Sequence, residues 1–301
     1  MTRVLRCAYL TMDSDEGWCI DADLGFPPLE ALGWTVEPVR WRSDHTDWDA
    51  YDAVYIGTSW DYPAAPQQFL DLLEMIDASR AVLVNELALV RWSMSKTYLR
   101  DLAERGTDIV PSAWFDDYEA EEVAATFHRF DCGQIIVKPV VSTNATDTFL
   151  LDHDRLRALD AKLASVFARR GFVVQPFIDG ILEDGEYSLF YFDANLSHAI
   201  RKTPKQGDFR VQEEFGAQID PIVPAESLVA AGDRVLSMVE PVPAYARADF
   251  VRGGDGRFLL MELELIEPSM YLRMHKDAPR RFAEAFDKHA RRAIAARGET
   301  S

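Results

Sequence analysis

The sequence predicts an α/β protein: a parallel-sheet domain over residues 1–95, then two α+β subdomains over 96–184 and 185–301. Three observations carry that expectation. Strand-like and helix-like runs alternate at the start, a second alternation sets in before residue 134, and two apolar runs flank a Gly/Asp turn near the end.

The runs 4–10, 35–39, 53–58 and 81–84 read as strands, separated by helix-like stretches at about 20–32 and 66–78. Alternation of this kind places parallel strands in one sheet with helices over its faces. A helix-like stretch at 95–105 carries Lys96 in its first turn and opens the second part. Ile109-Val110-Pro111 follows, then a helix near 118–130 whose early acids, Glu119, Glu121 and Glu122, complement its dipole. The strand 134–139 ends in Lys138-Pro139, and a polar loop at 142–147, a strand at 148–151, a helix at 155–169 and the run 171–178 complete the unit. In the third part, 186–192 and 196–202 form an antiparallel pair around Asp193-Ala194-Asn195, and 225–239 is helical. No internal repeat or low-complexity tract interrupts the chain.

The hairpin that follows is the most informative segment. Residues 245–251 lead through Gly253-Gly254-Asp255-Gly256 into 257–265. Because side chains alternate along a strand, Ala248 and Phe250, with Met261, Leu263 and Leu265, point inward, while Asp249, Glu262 and Glu264 share the other face. A turn centred near Asp255 sets Asp249 opposite Glu262. Carboxylates facing one another across strands repel unless a positive group lies between them. With oxygen donors only and no Cys or His nearby, the fitting cation is Mg²⁺ before Zn²⁺, and Mg²⁺ commonly shares its shell with a substrate phosphate. The same acids also read as a solvated face neutralised by Arg247 and Arg257, and the hairpin alone does not choose.

Composition narrows the classes. At 301 residues and 48% hydrophobic, the chain is large enough for two or three domains with cores. A net charge of −18 opposes extended contact with nucleic-acid phosphates or an anionic membrane, so a bound nucleotide must be held by a few placed cations and a metal. Cys7, Cys19 and Cys132, odd in number and without a Cys-x-x-Cys pair, read as buried thiols in a reducing compartment. Arg3 and Arg6, followed at once by Asp13, Asp15 and Glu16, predict neither a signal peptide nor a membrane span, hence a cytoplasmic protein.

Walker-type Gly-x-x-x-x-Gly-Lys, Gly-x-Gly-x-x-Gly, Gly-x-Ser-x-Gly and His-Glu-x-x-His are all absent. Lys138 instead ends an apolar strand, where a lysine either snorkels out of the sheet edge or is held inward for an anion. In 173–178 the backbone breaks at Pro176, which is expected to free N–H and C=O groups for a base edge, or simply to lead a strand into a loop. Glu183 follows at a distance suited to a ribose hydroxyl.

The order of these parts resembles the ATP-grasp ligases, in their glutathione-synthetase-like branch. Lys96, Lys138 in Ile-Val-Lys-Pro, the Gln-Pro-Phe-Ile hinge, Arg210, then Asp249, Glu262 and Glu264 follow one another as in that family, and Thr58-Ser59-Trp60-Asp61-Tyr62 extends the similarity to essentially the whole chain. The resemblance implies an ATP-grasp fold in which two α+β subdomains grip ATP. It places Lys96 and Lys138 on the α- and β-phosphates, Gln175, Phe177 and Ile178 around adenine, and Glu183 on the ribose. Asp249, Glu262 and Glu264 would bind two Mg²⁺ ions, with Mn²⁺ as a substitute, and Arg210 would lie over the γ-phosphate, a role suited to a fixed guanidinium fork. Implied activity is ADP-forming carbon–nitrogen ligation: a carboxylate becomes an acyl phosphate that a nitrogen nucleophile attacks.

More specifically, residues 263–269 resemble the Leu-Glu-Leu-Ile-Glu-Pro-Ser signature of the O-ureido-D-serine cyclo-ligases, which implies ring closure to D-cycloserine and a place in antibiotic biosynthesis. The alternatives are an intermolecular ligase joining an amino acid to an amine, and a nucleotide-binding protein without turnover. Expected partners are a small amino-acid-like substrate and a second copy in a homodimer, with neither nucleic acid nor membrane. Two departures from the family pattern stand out: Ser142-Thr143-Asn144-Ala145-Thr146 lacks the usual phosphate-loop glycines, and Glu264 stands where Asn is common. Candidates for the substrate pocket are Tyr9, Asp13, Trp60, Asp61, Glu267 and Ser269, while the six histidines read as ordinary surface or core residues.

Overall fold

In the computed structural model, which describes residues 3–299, the chain forms three sheets, and strands of the second and third line a common cleft. The first part builds a parallel sheet from β1 (Leu5–Thr11), β2 (Trp34–Arg40), β3 (Ala53–Thr58) and β4 (Val82–Val84) in the order β2-β1-β3-β4. Every residue of β3 is buried, as expected of a central strand covered on both faces. The stretch expected to be one helix at 20–32 divides into a 3₁₀ turn and the short α1 (Phe26–Ala31). Pro27 and Pro28 are the reason: lacking N–H groups, they are accommodated in a first helical turn and not in a helix interior. Helix α2 (Pro66–Ala78) starts on a proline and buries Phe69, Leu73 and Ile76. Two further helices, α3 (Leu87–Ser93) and α4 (Tyr98–Glu104), lead away from the sheet, so Lys96 occupies the turn between them, not the first turn of a helix.

The second sheet is antiparallel, in the order β5-β8-β6-β7, from β5 (Ala113–Phe115), β6 (Ile135–Pro139), β7 (Phe149–Leu151) and β8 (Phe172–Pro176). Helices α5 (Ala120–Arg129) and α6 (His153–Phe167) cover one face, with the Asp152 carboxylate capping α6 by accepting from the Arg155 N–H at 2.7 Å. After the single turn α7 (Gly180–Glu183), a third sheet runs β11-β10-β9-β12-β13. Its strands are β9 (Glu186–Phe192), β10 (Asn195–Thr203), β11 (Gln218–Ile222), β12 (Tyr245–Arg252) and β13 (Phe258–Glu264), all antiparallel, with α8 (Glu226–Leu236) packed behind.

A last helix, α9 (Ala278–Glu299), returns to the first sheet, where Phe282 and Phe286 pack on Trp34 and Tyr55. Phe190, Phe192 and Tyr245 join the same core, so the first and third sheets are fused through one apolar layer. The cysteines are free, but only Cys7 is buried; Cys19 is exposed because it lies in the loop after β1, and Cys132 is half-buried. No described helix is long and apolar enough to cross a membrane.

Candidate active site

The cleft is lined by β6 and β8 on one side, by β12 and β13 on the other, and by Trp18, Trp60 and the segment 209–214 over its mouth. Alternation along β6 explains what faces it. Ile135 and Val137 enter the core of the second part, which turns Ile136 and Lys138 into the cavity. Lys138 is therefore held inward. Burial pushes its ammonium below the ordinary range while Glu262 pulls it back, and among the described residues it has no hydrogen-bonded or ion-paired partner. Lys96 is also buried, but it is engaged: its Nζ donates to Ser142 O at 2.8 Å and meets Glu262 Oε1 at 2.9 Å.

Val110, Ile136, Phe177, Ile178, Ile181, Val211 and Met261 make the other end of the cleft apolar. Gln175 faces it and donates to Ser112 Oγ at 2.9 Å. The expected free backbone after Pro176 is only partly free. The Phe177 N–H donates to Gln134 O at 2.9 Å and the Ile178 carbonyl accepts from Ile181 N–H, because the β6–β8 ladder runs one residue past the proline before α7 begins. Glu183, the expected ribose ligand, is exposed at the end of α7 and does not line the cavity. Single-turn geometry at 180–183 turns it to solvent.

On the hairpin, Asp249 pairs with Glu262 as the turn position requires. A bulge next to this pair places Phe250 opposite Leu260, so Met261 is the extra residue and faces the cleft, while Leu260 takes the core place beside Leu263. The three acids line the cavity without converging: no group of three acids, histidines or cysteines among the described residues forms a metal-holding cluster. Each meets a cation instead. Arg247 donates from Nε to both Asp249 oxygens at 3.1 Å and from Nη2 to Glu264, Lys202 lies 3.6 Å from Asp249, and Ser188 Oγ donates to Asp249 at 2.5 Å. Burial opposes ionisation of Asp249, but Arg247 and Lys202 outweigh it and hold the carboxyl at about 2. At Glu264 burial wins over Arg247, and the carboxyl is pushed up to about 7. Glu262 is held low because Lys96 and Lys138 outweigh the same penalty.

The glycine-free loop 142–147 does line the cleft, and it reaches the required path at a conformational cost. Asn144, Ala145 and Asp147 all have φ near +50°, the left-handed region that favours glycine. Thr143 Oγ1 donates to Trp60 O at 2.7 Å and Arg170 donates to Asp147 at 2.6 Å, which anchors the strained turn at both ends. Arg210 lines the cavity as well, yet its guanidinium is occupied by Asp208 at 2.7 Å and lies 3.7 Å over the Phe215 ring.

Lys202, Glu186, Trp18 and Tyr271 line the cleft and were not anticipated. The signal for two of them was present: the β9–β10 pair sets Lys202 opposite Glu186, and their side chains bond at 2.8 Å in the buried floor. Of the substrate-pocket candidates, Trp60, Glu267 and Ser269 line the cleft. Tyr9 lies in the core, Asp13 is exposed, and Asp61 is taken up by Arg42 and by Trp41 Nε1 at 2.6 Å.

The comparisons with known proteins agree with this architecture. The family model for the N-terminal domain of D-cycloserine synthetase DcsG matches residues 7–85. The cycloserine biosynthesis protein DcsG of Streptomyces lavendulae is 29% identical over 279 residues, covering 87% of this chain and 93% of that protein. The crystal structure of D-cycloserine synthetase DcsG superposes with a TM-score of 0.86 at 25% identity, over 95% of this chain and 99% of that one. The ATP-grasp ligase PsnB, solved with a minimal precursor, Mg and ADP, shares the fold with a TM-score of 0.63 at 15% identity, over 95% of this chain and 98% of that one. The chain has the ATP-grasp fold and is an ATP-dependent ligase.

Proposed function

We propose that this ligase activates the carboxylate of a small amino acid as an acyl phosphate and that a nitrogen of the same molecule captures it, converting O-ureido-D-serine to D-cycloserine. The observation that carries the nucleotide half of this reading is Lys138, a buried cation that among the described residues has no hydrogen-bonded or ion-paired partner, in a cavity whose other buried cations are paired. Similarity to a cycloserine biosynthesis protein over most of both chains supports the choice of substrate. The division of labour follows the three parts, 1–95, 96–184 and 185–301, with the last two gripping the nucleotide.

In this reading the adenine lies against Phe177 and Ile178 beside Gln175, and Lys138 and Lys96 meet the phosphates. A substrate carboxylate oxygen attacks the γ-phosphorus and ADP leaves; the ureido nitrogen bonded to oxygen then attacks the acyl carbon, loses its proton, and inorganic phosphate leaves. Water finally hydrolyses the carbamoyl group from the ring nitrogen as carbon dioxide and ammonia, which gives D-cycloserine. Arg210 acts on the transferring phosphoryl group, for which it must exchange Asp208 for phosphate oxygens. Asp249, Glu262 and Glu264 fit Mg²⁺ by donor type, since they offer only carboxylate oxygens on one face, and Arg247 and Lys96 hold those oxygens in the free protein. Two Mg²⁺ ions at these acids, replaceable by Mn²⁺, would neutralise the phosphate charge. We further propose a cytoplasmic homodimer, with light scattering to read the assembly.

The test is ADP release on adding O-ureido-D-serine, with D-cycloserine detected by mass spectrometry. ADP release only when a separate amine is supplied would favour intermolecular ligation. Arg210→Ala should lower kcat while leaving the Kd for a non-hydrolysable ATP analogue near its original value. Loss of nucleotide binding in that variant would move Arg210 into the nucleotide pocket.

A further inference from the structure

Among the described residues, ion pairing of the buried acid positions in the cleft is nearly complete, and the exception is Glu267. Its carboxyl lines the cavity at 7% exposure, yet among the described residues it has no hydrogen-bonded or ion-paired partner. The neighbouring acids are satisfied by Arg247, Lys202 and Lys96, whose charges are thereby spent on Asp249, Glu264, Glu186 and Glu262. An unpaired buried carboxylate is costly, and burial with Glu264 nearby pushes this carboxyl well above its ordinary range. Its backbone is held firmly even so: the Glu267 carbonyl accepts from Trp60 Nε1 at 2.8 Å.

We infer that Glu267 is the recognition site for a substrate ammonium group, which makes the acceptor a free α-amino acid and not an N-acylated one or a simple carboxylic acid. Aromatic residues line the same cavity. Trp18 and Trp60 lie against each other with centroids 4.9 Å apart, and the Trp60 indole N–H reaches the Glu267 carbonyl. Tyr271 lines the same cavity with φ 45°, a left-handed backbone that a bulky residue adopts only where the surroundings enforce it, and its ring already meets Lys202 at 5.9 Å and Arg273 at 4.9 Å. The cavity thus carries two unpartnered ionisable groups of opposite kind, the Lys138 ammonium for a phosphate anion and the Glu267 carboxyl for an ammonium. A zwitterion that must also present its carboxylate to ATP fits that division. The inference rests on the proposed ligase reaction and adds the requirement for a charged amine.

The test pairs a panel of free amino acids, O-ureido-D-serine among them, with their N-acetyl derivatives and measures ADP release by wild type, Glu267→Gln and Glu267→Asp. The expected result is turnover of free amines only, a KM raised about tenfold or more in Glu267→Gln, partial recovery in Glu267→Asp, and an unchanged Kd for AMPPNP. Glu267→Gln should also melt no lower than wild type, because the carboxyl has no protein partner to lose; stability kept while amino-acid affinity falls is not what a merely structural residue gives. Equal use of N-acetyl substrates, an unchanged KM, or a shifted Mg²⁺ requirement in Glu267→Gln would overturn the assignment. Turnover of other free amino acids but not of O-ureido-D-serine would sink the ring-closing reading and leave Glu267 supported.

Discussion

The two ends of the β12–β13 hairpin carry the same chemistry in opposite settings. At the turn, Arg257 bonds Asp255 and Asp108 at 2.8 Å, with all three side chains more than half exposed. At the strand ends, Arg247 bonds Asp249 and Glu264 with its own side chain only 9% exposed. Water screens the first group and is excluded from the second, so similar contacts differ in worth several-fold. The inner group is where a charged ligand has most to exchange.

The largest effect should come from breaking the inner pair. Arg247→Met removes the cation shared by Asp249 and Glu264 and leaves Asp249 with Lys202 as its one cation beside the Ser188 hydroxyl. Urea unfolding should register a loss of about 3 kcal/mol, the cost of uncompensated buried charge, and added Mg²⁺ should return part of it if these acids take the ion. An unchanged midpoint would show that water reaches the inner end as freely as the turn.

Burial without any counter-charge gives a second contrast. His198 on β10 stacks on Phe190 at 4.2 Å and its Nε2 contacts Met270 O, and the ionisable side chains that act on it, His275 and Arg281, are both basic. Burial, aided by those neighbours, pushes the imidazole down to about 4. The unfolded chain protonates first as pH falls below about 6.5. Stability is therefore complete above that pH and declines towards pH 4 by about 3 kcal/mol. His198→Gln should flatten that slope; an equal slope in the variant would assign it to other groups.

Glu262→Gln separates function from folding at the same inner end. Lys96 keeps its bond to Ser142 O when the charge is removed, so melting without nucleotide should change little. ATP turnover should fall by about 10²-fold or more, the scale of losing a major electrostatic element. Lys138→Ala tests the unpaired cation in the same way: the Kd for ATP should rise about tenfold while circular dichroism is unchanged, since no partner is orphaned. Unaltered ATP affinity would mean that the lysine faces the cavity without serving a phosphate.

Much of the fold was legible because period and punctuation coincide. The bounds of α2, β3 and β9 match their sequence patterns, and the Asp249–Glu262 register follows from the turn. Failures have local causes: tandem prolines cut one helix, a bulge moved Met261, and a single-turn helix carried Glu183 to the surface. The short β5, the edge strand β11 and α9 went unread, although Phe282, Phe286 and Ala290 lie at helical spacing. At the site, residue types were readable but partnership was not. Which lysine is paired with which acid depends on contacts between strands far apart in sequence, such as Lys96 with Glu262, and no local pattern encodes it.

The smallest effect should come from the hairpin's outer end. Arg257→Ala deletes the bonds to Asp255 and Asp108, both solvated before and after the change. The Gly253 N–H still donates to the Arg257 carbonyl at 2.8 Å, so the turn keeps its backbone closure whatever the side chain. Stability should move by no more than about 0.5 kcal/mol, and the effect should shrink further in high salt. Turnover should be unchanged, since Arg257 is absent from the cavity wall. A loss comparable with that of Arg247→Met would show the turn anchors the acidic strand through its charges, and the distinction between the two ends would then have to rest on something other than burial.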